Sequence, residues 1–201
     1  MIRILIAEDQ VMVREAIASL LELEDELSVV AQVGRGDEVL AAARAAQPDV
    51  ALLDIEMPGA TGLEVLGELV AQQPACKVLV LTTFGRPGYL RRAMEGGATG
   101  FLLKDAPAAD LSSAIHRAMA GERIVDPGLA AAALSEGSSP LTAREQEVLA
   151  TSRAHATIAQ LAAALHLSPG TTRNHLSTIM GKLGAHSSAE ALRVAEEKGW
   201  L

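Results

Sequence analysis

The most informative segment of this 201-residue chain is Val50-Ala51-Leu52-Leu53-Asp54-Ile55-Glu56-Met57-Pro58. Four apolar residues run directly into an acidic residue, and the segment ends at Met-Pro. An unbroken apolar run of this length is typical of a strand that is buried on both faces of a parallel sheet. Asp54 is then expected at the carboxyl end of that strand, where open α/β sheets hold their ligands.

Strand-like and helix-like segments alternate five times across residues 1–121. The other strands are predicted at Ile2–Ala7, Leu27–Val33, Lys77–Leu81 and Thr99–Leu103. This alternation predicts an α/β domain built on a doubly wound, five-stranded parallel sheet of the flavodoxin-like kind, with right-handed crossovers. Because parallel strands end at one edge of the sheet, we expect Asp9, Asp54, Thr82 and Lys104 to lie close together.

The acidic residues at this edge indicate a metal site. A pair of acids, Glu8-Asp9, follows the first strand, so three carboxylates converge with Asp54. Such a cluster predicts a site for a hard cation such as Mg²⁺. Metal-bound carboxylates beside a free aspartyl oxygen indicate phosphoryl chemistry. Taken alone, Asp54 could cap a helix and Lys104 could be a solvated surface residue, so it is their joint placement that favours a site.

Composition and charge exclude several classes of protein. The chain is 49% hydrophobic with a net charge of −8. Residues 1–135 hold 11 basic and 19 acidic side chains, whereas residues 136–201 hold six of each, so the second part is better suited to approach DNA. Cys76 is the single cysteine, which excludes a disulfide framework. Without a secretory pattern or a membrane-length apolar run, we expect a cytoplasmic protein without a membrane segment.

The last third of the chain has a different organisation. Residues 122–140 are rich in breakers and small residues and are predicted to be an interdomain linker, followed by four helical segments in residues 141–201. The segments Ile158–Leu165 and Ser168–Leu183 have the dimensions of a helix-turn-helix. The second of them offers polar side chains suited to a DNA major groove. The predicted DNA contacts are Ser168, Thr171, Thr172, Arg173, Asn174, His175, Thr178 and Lys182.

These motifs resemble a known bacterial family. The first domain resembles a response-regulator receiver, whose pattern matches Glu8-Asp9, the segment Asp54 to Gly59, Thr82 and Lys104. The second domain resembles the LuxR-type helix-turn-helix of the NarL/FixJ subfamily. That resemblance rests on its opening, Leu141-Thr142-Ala143-Arg144-Glu145-Gln146-Glu147-Val148-Leu149, and on later matches such as Lys182-Leu183. Together the two resemblances cover nearly the whole chain.

The resemblance implies a phosphorylation site with defined roles. Asp54 would accept the phosphoryl group from a sensor histidine kinase. Glu8, Asp9 and Asp54, with the backbone carbonyl of Glu56, would hold Mg²⁺. Thr82 would hydrogen-bond the phosphoryl group, and Lys104 would pair with it.

The resemblance also implies a switch and an output. Phe101 matches the family's switch aromatic, which turns inward when Thr82 moves toward the phosphate. Phosphorylation would then promote a homodimer that binds double-stranded DNA and regulates transcription. The candidate dimer residues on the first and fifth helices are Val11, Val13, Arg14, Ile115, Ala118 and Met119. As a plain alternative, Phe101 could simply be a core residue.

The second domain departs from the family pattern where its helix pair begins. The family usually has Gly-x-Ser/Thr-Asn-x-Glu-Ile there, and this chain has His155-Ala156-Thr157-Ile158-Ala159-Gln160-Leu161. His155 replaces a glycine that favours a left-handed turn, a conformation that histidine adopts at some cost. Because the domain also has no net charge, we expect weak DNA binding at high salt or without dimerisation.

Two other functions compete with transcriptional regulation. An aspartyl-phosphate phosphatase also uses a strand-end Asp with Mg²⁺ and an acid two residues later, the position of Glu56. However, the sequence shows no cap domain or substrate pocket, and we do not expect an enzyme. The second competitor is a receiver whose altered helix-turn-helix acts through protein-protein contacts or without phosphate.

Overall fold

The computed structural model describes residues 1–83, 87–105, 107–135 and 139–201. They form two compact units, the first mainly within residues 1–131 and the second mainly within residues 132–201. The strands found there are β1 (Ile2–Ala7), β2 (Leu27–Val33), β3 (Val50–Asp54), β4 (Lys77–Thr82), β5 (Gly100–Leu103) and β6 (Ile124–Val125). The helices that alternate with them are α1 (Val11–Leu21), α2 (Gly36–Ala46), α3 (Gly62–Gln72), α4 (Pro87–Glu95), α5 (Ala108–Met119) and α6 (Pro127–Ser135). The remaining helices are α7 (Ala143–Ser152), α8 (Ile158–Ala164), α9 (Pro169–Leu183) and α10 (Ser188–Glu197).

The strands form one parallel sheet in the order β2-β1-β3-β4-β5-β6. The doubly wound α/β fold predicted from the sequence is therefore confirmed. The order reverses direction between β1 and β3, which makes a crevice at the carboxyl ends of those two strands. The predicted edge of the sheet thus carries both Glu8-Asp9 and Asp54.

The centre of the sheet is apolar on both faces, as its sequence predicts. All five residues of β3 are buried. Ile115 and Ala118 of α5 pack into the same core and are 0% exposed. Their assignment to a dimer surface was therefore wrong, because these two positions face the sheet rather than solvent.

The first half of the predicted linker is regular structure. Ile124 and Val125 form a sixth strand that pairs with Gly100 and Phe101 of β5, and Ile124 is buried. This strand covers an edge of the sheet that would otherwise leave backbone groups unpaired. Residues 127–135 form α6, and Asp126, which precedes this helix, accepts a hydrogen bond from the backbone N–H of Leu129. The polar end of the predicted linker lies partly outside the described residues, at 136–138.

The second unit is a helical domain with its own core. Leu149, Ile179 and Ala195 of three different helices are 0% exposed and pack together. The helices α7 and α8 each begin with a capping box, and Ser168 caps α9 with Pro169 at its first position. The left-handed residue in the α8–α9 turn is His166, at φ 54°, and the expectation of a left-handed His155 is wrong.

Candidate functional site

Polar side chains follow four neighbouring strands at the carboxyl edge of the sheet. Glu8 and Asp9 follow β1, Asp54 ends β3, Thr82 ends β4 and Lys104 follows β5. The parallel registers align these strand ends, and the backbone N–H of Lys104 donates to the Thr82 carbonyl at 2.8 Å. The structure therefore brings together the residues that the sequence placed at this edge.

One ammonium group joins two buried carboxylates. Lys104 Nζ lies 2.6 Å from Glu8 Oε2 and 3.0 Å from Asp54 Oδ1. Glu8 is 1% exposed and Asp54 is 4% exposed. A buried carboxylate is costly without a partner, so the shared ammonium is what keeps both acids at this edge.

Burial changes the protonation of the site. It raises the pKa of Asp54 to about 6, while the hydrogen bond from Lys104 opposes the rise and the charge of Glu8 adds to it. Burial of Lys104 disfavours its charge, but its hydrogen bonds to Glu8 and Asp54 outweigh burial and raise its pKa. Asp54 is thus easier to protonate than an exposed aspartate, and Lys104 stays charged.

Three carboxylates at this edge fit a divalent cation. Glu8, Asp9 and Asp54 each offer an oxygen, and these atoms lie within 4.8 Å of one another. Asp9 is exposed, which leaves the cluster open to solvent. Three negative charges face one ammonium, so an excess of negative charge remains for a hard cation with oxygen ligands. Glu56 lies two residues beyond Asp54 in the following loop, with its side chain exposed.

The loop after β3 is held close to the strand end. The Gly62 N–H donates to the Ile55 carbonyl at 2.9 Å, and a Cβ at Gly62 would lie 2.0 Å from the backbone oxygen of Asp54. Thr61 and Glu64 form a capping box at the start of α3. Only glycine permits this approach, which holds the backbone that directly follows Asp54.

Thr82 and Phe101 are both buried in neighbouring strands. Each is 1% exposed. Phe101 pairs with Val80 on one side and with Val125 of the unexpected strand β6 on the other. The structure thus places Phe101 in the core, next to strand β4, which ends at Thr82.

The exposed face of α9 is smaller than the sequence predicts. Thr171, Arg173, Asn174 and Thr178 of α9 are exposed, and His175 is half-buried. Thr172 is 0% exposed and its hydroxyl donates to the Ser168 carbonyl, so its side chain does not lie on that face. The reason is that Thr172 packs on the inner side of the helix pair.

Lys182 is held by an acid from another helix. Its Nζ lies 2.6 Å from Oε2 of Glu145, which is 6% exposed. Hydrogen bonds from Lys182 and from the Thr142 N–H lower the pKa of Glu145. This pair ties α9 to the start of α7, a structural role that sequence reasoning missed because the two residues are 37 positions apart.

Arg173 differs from the other cations of the second unit. Three arginines there pair with glutamates, as Arg144–Glu147, Arg153–Glu196 and Arg193–Glu197. Lys198 lies over the Trp200 ring, 5.1 Å from its centroid. In residues 139–201, Arg173 alone among the cations has neither an anionic partner nor a ring contact. It is therefore the cation most available to a phosphate backbone.

No helix in the described part of the chain is both long enough and apolar enough to span a membrane.

Comparisons with known proteins match both parts of the chain to known domain families. Residues 4–116 match the response regulator receiver domain, and residues 139–195 match the bacterial regulatory proteins of the luxR family. The chain is 45% identical to the uncharacterized transcriptional regulatory protein YvfU and 44% identical to the transcriptional regulatory protein DesR. Both are from Bacillus subtilis (strain 168), and each alignment covers 100% of both chains.

A solved response regulator is similar along the whole chain. The response regulator ChrA of a heme-sensing two-component system is 32% identical, with a TM-score of 0.58. The match covers 100% of this chain and 98% of ChrA. Both Bacillus relatives are named as transcriptional regulatory proteins. The chain therefore belongs to the bacterial response regulators in which a receiver domain is joined to a LuxR-type regulatory domain.

Proposed function

We propose that this regulator is switched by phosphorylation of Asp54 and that a sensor histidine kinase is the phosphoryl donor. The observation that carries the proposal is the buried Asp54 at a strand end, 3.0 Å from the Lys104 ammonium and beside Glu8 and Asp9. Buried carboxylates with a shared cation and an open acidic cluster suit phosphoryl transfer better than a purely structural role.

The transfer step follows from the chemistry of these groups. An ionised Asp54 oxygen attacks phosphorus, a new P–O bond forms, and the P–N bond of the phosphohistidine breaks as imidazole leaves. The Lys104 ammonium pairs with a phosphoryl oxygen, and the Thr82 hydroxyl donates a hydrogen bond to another. Glu8, Asp9, Asp54 and the Glu56 carbonyl would hold Mg²⁺, which supplies charge neutralisation at the phosphoryl group.

The conformational change proposed to follow phosphorylation begins at Thr82 and Phe101. Movement of Thr82 toward the phosphoryl group leaves space for Phe101, and the surface around β5 changes. A local electrostatic change of this kind alters a wider surface when the core has two packed arrangements.

The proposed dimer forms through an apolar surface on α1 and α5, called here the α1/α5 face. Met12 is 81% exposed, Val11 55%, Leu20 46% and Met119 39%. Beside them is a cavity of about 310 Å³ lined mainly by apolar side chains of both helices. Exposed apolar surface next to such a cavity favours contact with a second copy of the chain. Val13 is half-buried and lines the cavity.

Dimerisation compensates for a domain with few available cations. The proposed DNA contacts are centred on Arg173 and Asn174, with Ser168, Thr171, His175 and Thr178 around them. Pairing two domains on adjacent half-sites adds their contacts without adding charge to either one. A regulator of transcription reaches its DNA in the bacterial cytoplasm, where we place this protein.

Phosphorylation of the full chain tests the acceptor directly. With acetyl phosphate and Mg²⁺, the wild type should gain one phosphoryl group by intact-mass measurement, and Asp54→Asn should gain none because it lacks the nucleophilic oxygen. Asp49→Asn is the matched control, since Asp49 lies at the opposite end of the same strand, where it accepts a hydrogen bond from the Arg3 N–H. Stoichiometric uptake by Asp54→Asn would show that another residue is the acceptor.

The raised pKa of Asp54 predicts a pH-dependent stability. A carboxyl whose folded pKa is raised favours folding below its unfolded pKa, and this contribution is lost as the pH rises through about 6. Without metal, Asp54→Asn should therefore be more stable than the wild type at pH 8, by on the order of 1–2 kcal/mol, and by roughly half as much at pH 5. Added Mg²⁺ should stabilise the wild type more at pH 8 than at pH 5, since protons compete with the cation.

Thermal unfolding at the two pH values, with EDTA or with Mg²⁺, measures both effects. A metal-free Asp54→Asn variant that is less stable than the wild type at pH 8 would contradict the unfavourable ionisation of Asp54. If Mg²⁺ stabilised wild type and Asp54→Asn equally, Asp54 would not be a ligand of the metal.

Arg173→Ala tests the DNA interface. It should weaken binding to a random-sequence duplex by about tenfold and lower the salt dependence by about one ion, because one phosphate contact is lost. Arg193→Ala is the matched control, since Arg193 is an exposed arginine already paired with Glu197. Equal effects of the two variants would show that α9 is not the contacting helix, and wild-type binding without salt dependence would favour the protein-protein alternative.

A further inference from the structure

Arg14 contacts the backbone of the acidic cluster. It lies on α1, and its Nη1 donates a hydrogen bond to the carbonyl oxygen of Glu8 at 2.5 Å, in a partly buried position. The sequence suggested Arg14 as a dimer residue, but its guanidinium faces the turn that carries Glu8 and Asp9. This hydrogen bond links helix α1 to the turn after β1.

The Arg14 contact completes a set of hydrogen bonds around Glu8. The Glu8 N–H donates to the Val33 carbonyl at 3.1 Å, and the Gln10 N–H donates to Glu8 Oε1 at 3.2 Å. Lys104 holds the other carboxylate oxygen at 2.6 Å. Three polar groups of Glu8 therefore have hydrogen-bond partners and the fourth, Oε2, has the Lys104 ammonium as its ion-pair partner. Arg14 supplies the partner for the carbonyl.

The end of β2 leaves room for the guanidinium. A Cβ added at Gly34 would lie 3.1 Å from Arg14 Nη1 and 3.9 Å from the Glu8 oxygen. A distance of 3.1 Å is tighter than a carbon normally accepts, so a side chain there would shift the guanidinium by a few tenths of an ångström. The absence of a side chain at Gly34 thus leaves the guanidinium at its hydrogen-bonding distance from Glu8.

We propose that Arg14 is a positioning residue for the magnesium site, holding the Glu8–Asp9 turn so that both carboxylates face Asp54. The inference rests on the proposed magnesium site. Groups that orient metal ligands contribute about 10- to 100-fold to metal affinity. A structural role alone would lower stability and leave the affinity for Mg²⁺ unchanged.

The direction of the change in Mg²⁺ affinity distinguishes a positioning role of Arg14 from a purely electrostatic effect of its charge. A cation near a metal site repels Mg²⁺, so removing its charge without any loss of order would tighten binding. Positioning predicts the opposite result, that Arg14→Gln weakens Mg²⁺ binding. Arg14→Lys keeps the positive charge but loses the planar guanidinium that reaches the Glu8 carbonyl. It should therefore also weaken Mg²⁺ binding.

The experiment is a calorimetric titration of the full chain with Mg²⁺, together with thermal unfolding of each variant. Arg14→Gln should raise the Kd by about tenfold or more. Arg3→Gln is the matched control, because Arg3 also donates to backbone carbonyls, those of Ala46 at 2.6 Å and Gln47 at 3.3 Å, at the opposite edge of the sheet. It should lower the melting temperature and leave the Kd unchanged.

Gly34→Ala provides a second, independent variant. It should weaken Mg²⁺ binding in the wild-type background and have little further effect when Arg14 is already Gln, since the two changes disturb one contact. A Kd for Arg14→Gln within twofold of wild type, or a tighter one, overturns the inference while the magnesium site stands. A wild type that binds no Mg²⁺ overturns both the inference and the proposed site.

Discussion

The receiver domain depends on one ammonium group placed between two buried carboxylates. Lys104 contacts Glu8 and Asp54, which arrive from different strands, so its charge joins β1, β3 and β5 at the edge where the chemistry is proposed. Burial raises the pKa of Asp54 to about 6, and the charge of Glu8 adds to the rise. The two acids share a single ammonium, so negative charge is in excess. The excess of negative charge that makes the metal-free site costly suits it to the divalent cation proposed there.

In the second domain, most cations of residues 139–201 already have an anionic partner or a ring contact. Lys182 ties two helices together through Glu145. Within the described residues, Arg173 has no such partner and lies exposed on α9. In the proposed function, few phosphate contacts per domain mean that affinity for DNA is gained by pairing two domains. Under that proposal, control of dimerisation by the receiver is also control of DNA binding.

The polar residues at the carboxyl edge of the sheet could be predicted from the sequence because they follow apolar runs, and parallel strands bring such positions together. Strand β6 could not be predicted from the sequence. Ile124–Val125 is too short to show an alternation of apolar and polar residues, and its strand conformation depends on pairing with β5. The inward position of Thr172 and the contact of Arg14 with Glu8 depend on how helices rotate and enter the fold. Sequence spacing identifies a helix but does not determine its rotation closely enough to separate an exposed position from its buried neighbour.

The central claim is that the state of Asp54 controls assembly of the whole chain. The most direct measurement is the solution mass by light scattering, with Mg²⁺, before and after addition of beryllofluoride, for wild type and Asp54→Asn. The account predicts a change from monomer to dimer in the wild type and an unchanged monomer for Asp54→Asn. A mass that is the same with and without beryllofluoride, or a dimer formed equally by Asp54→Asn, would contradict it.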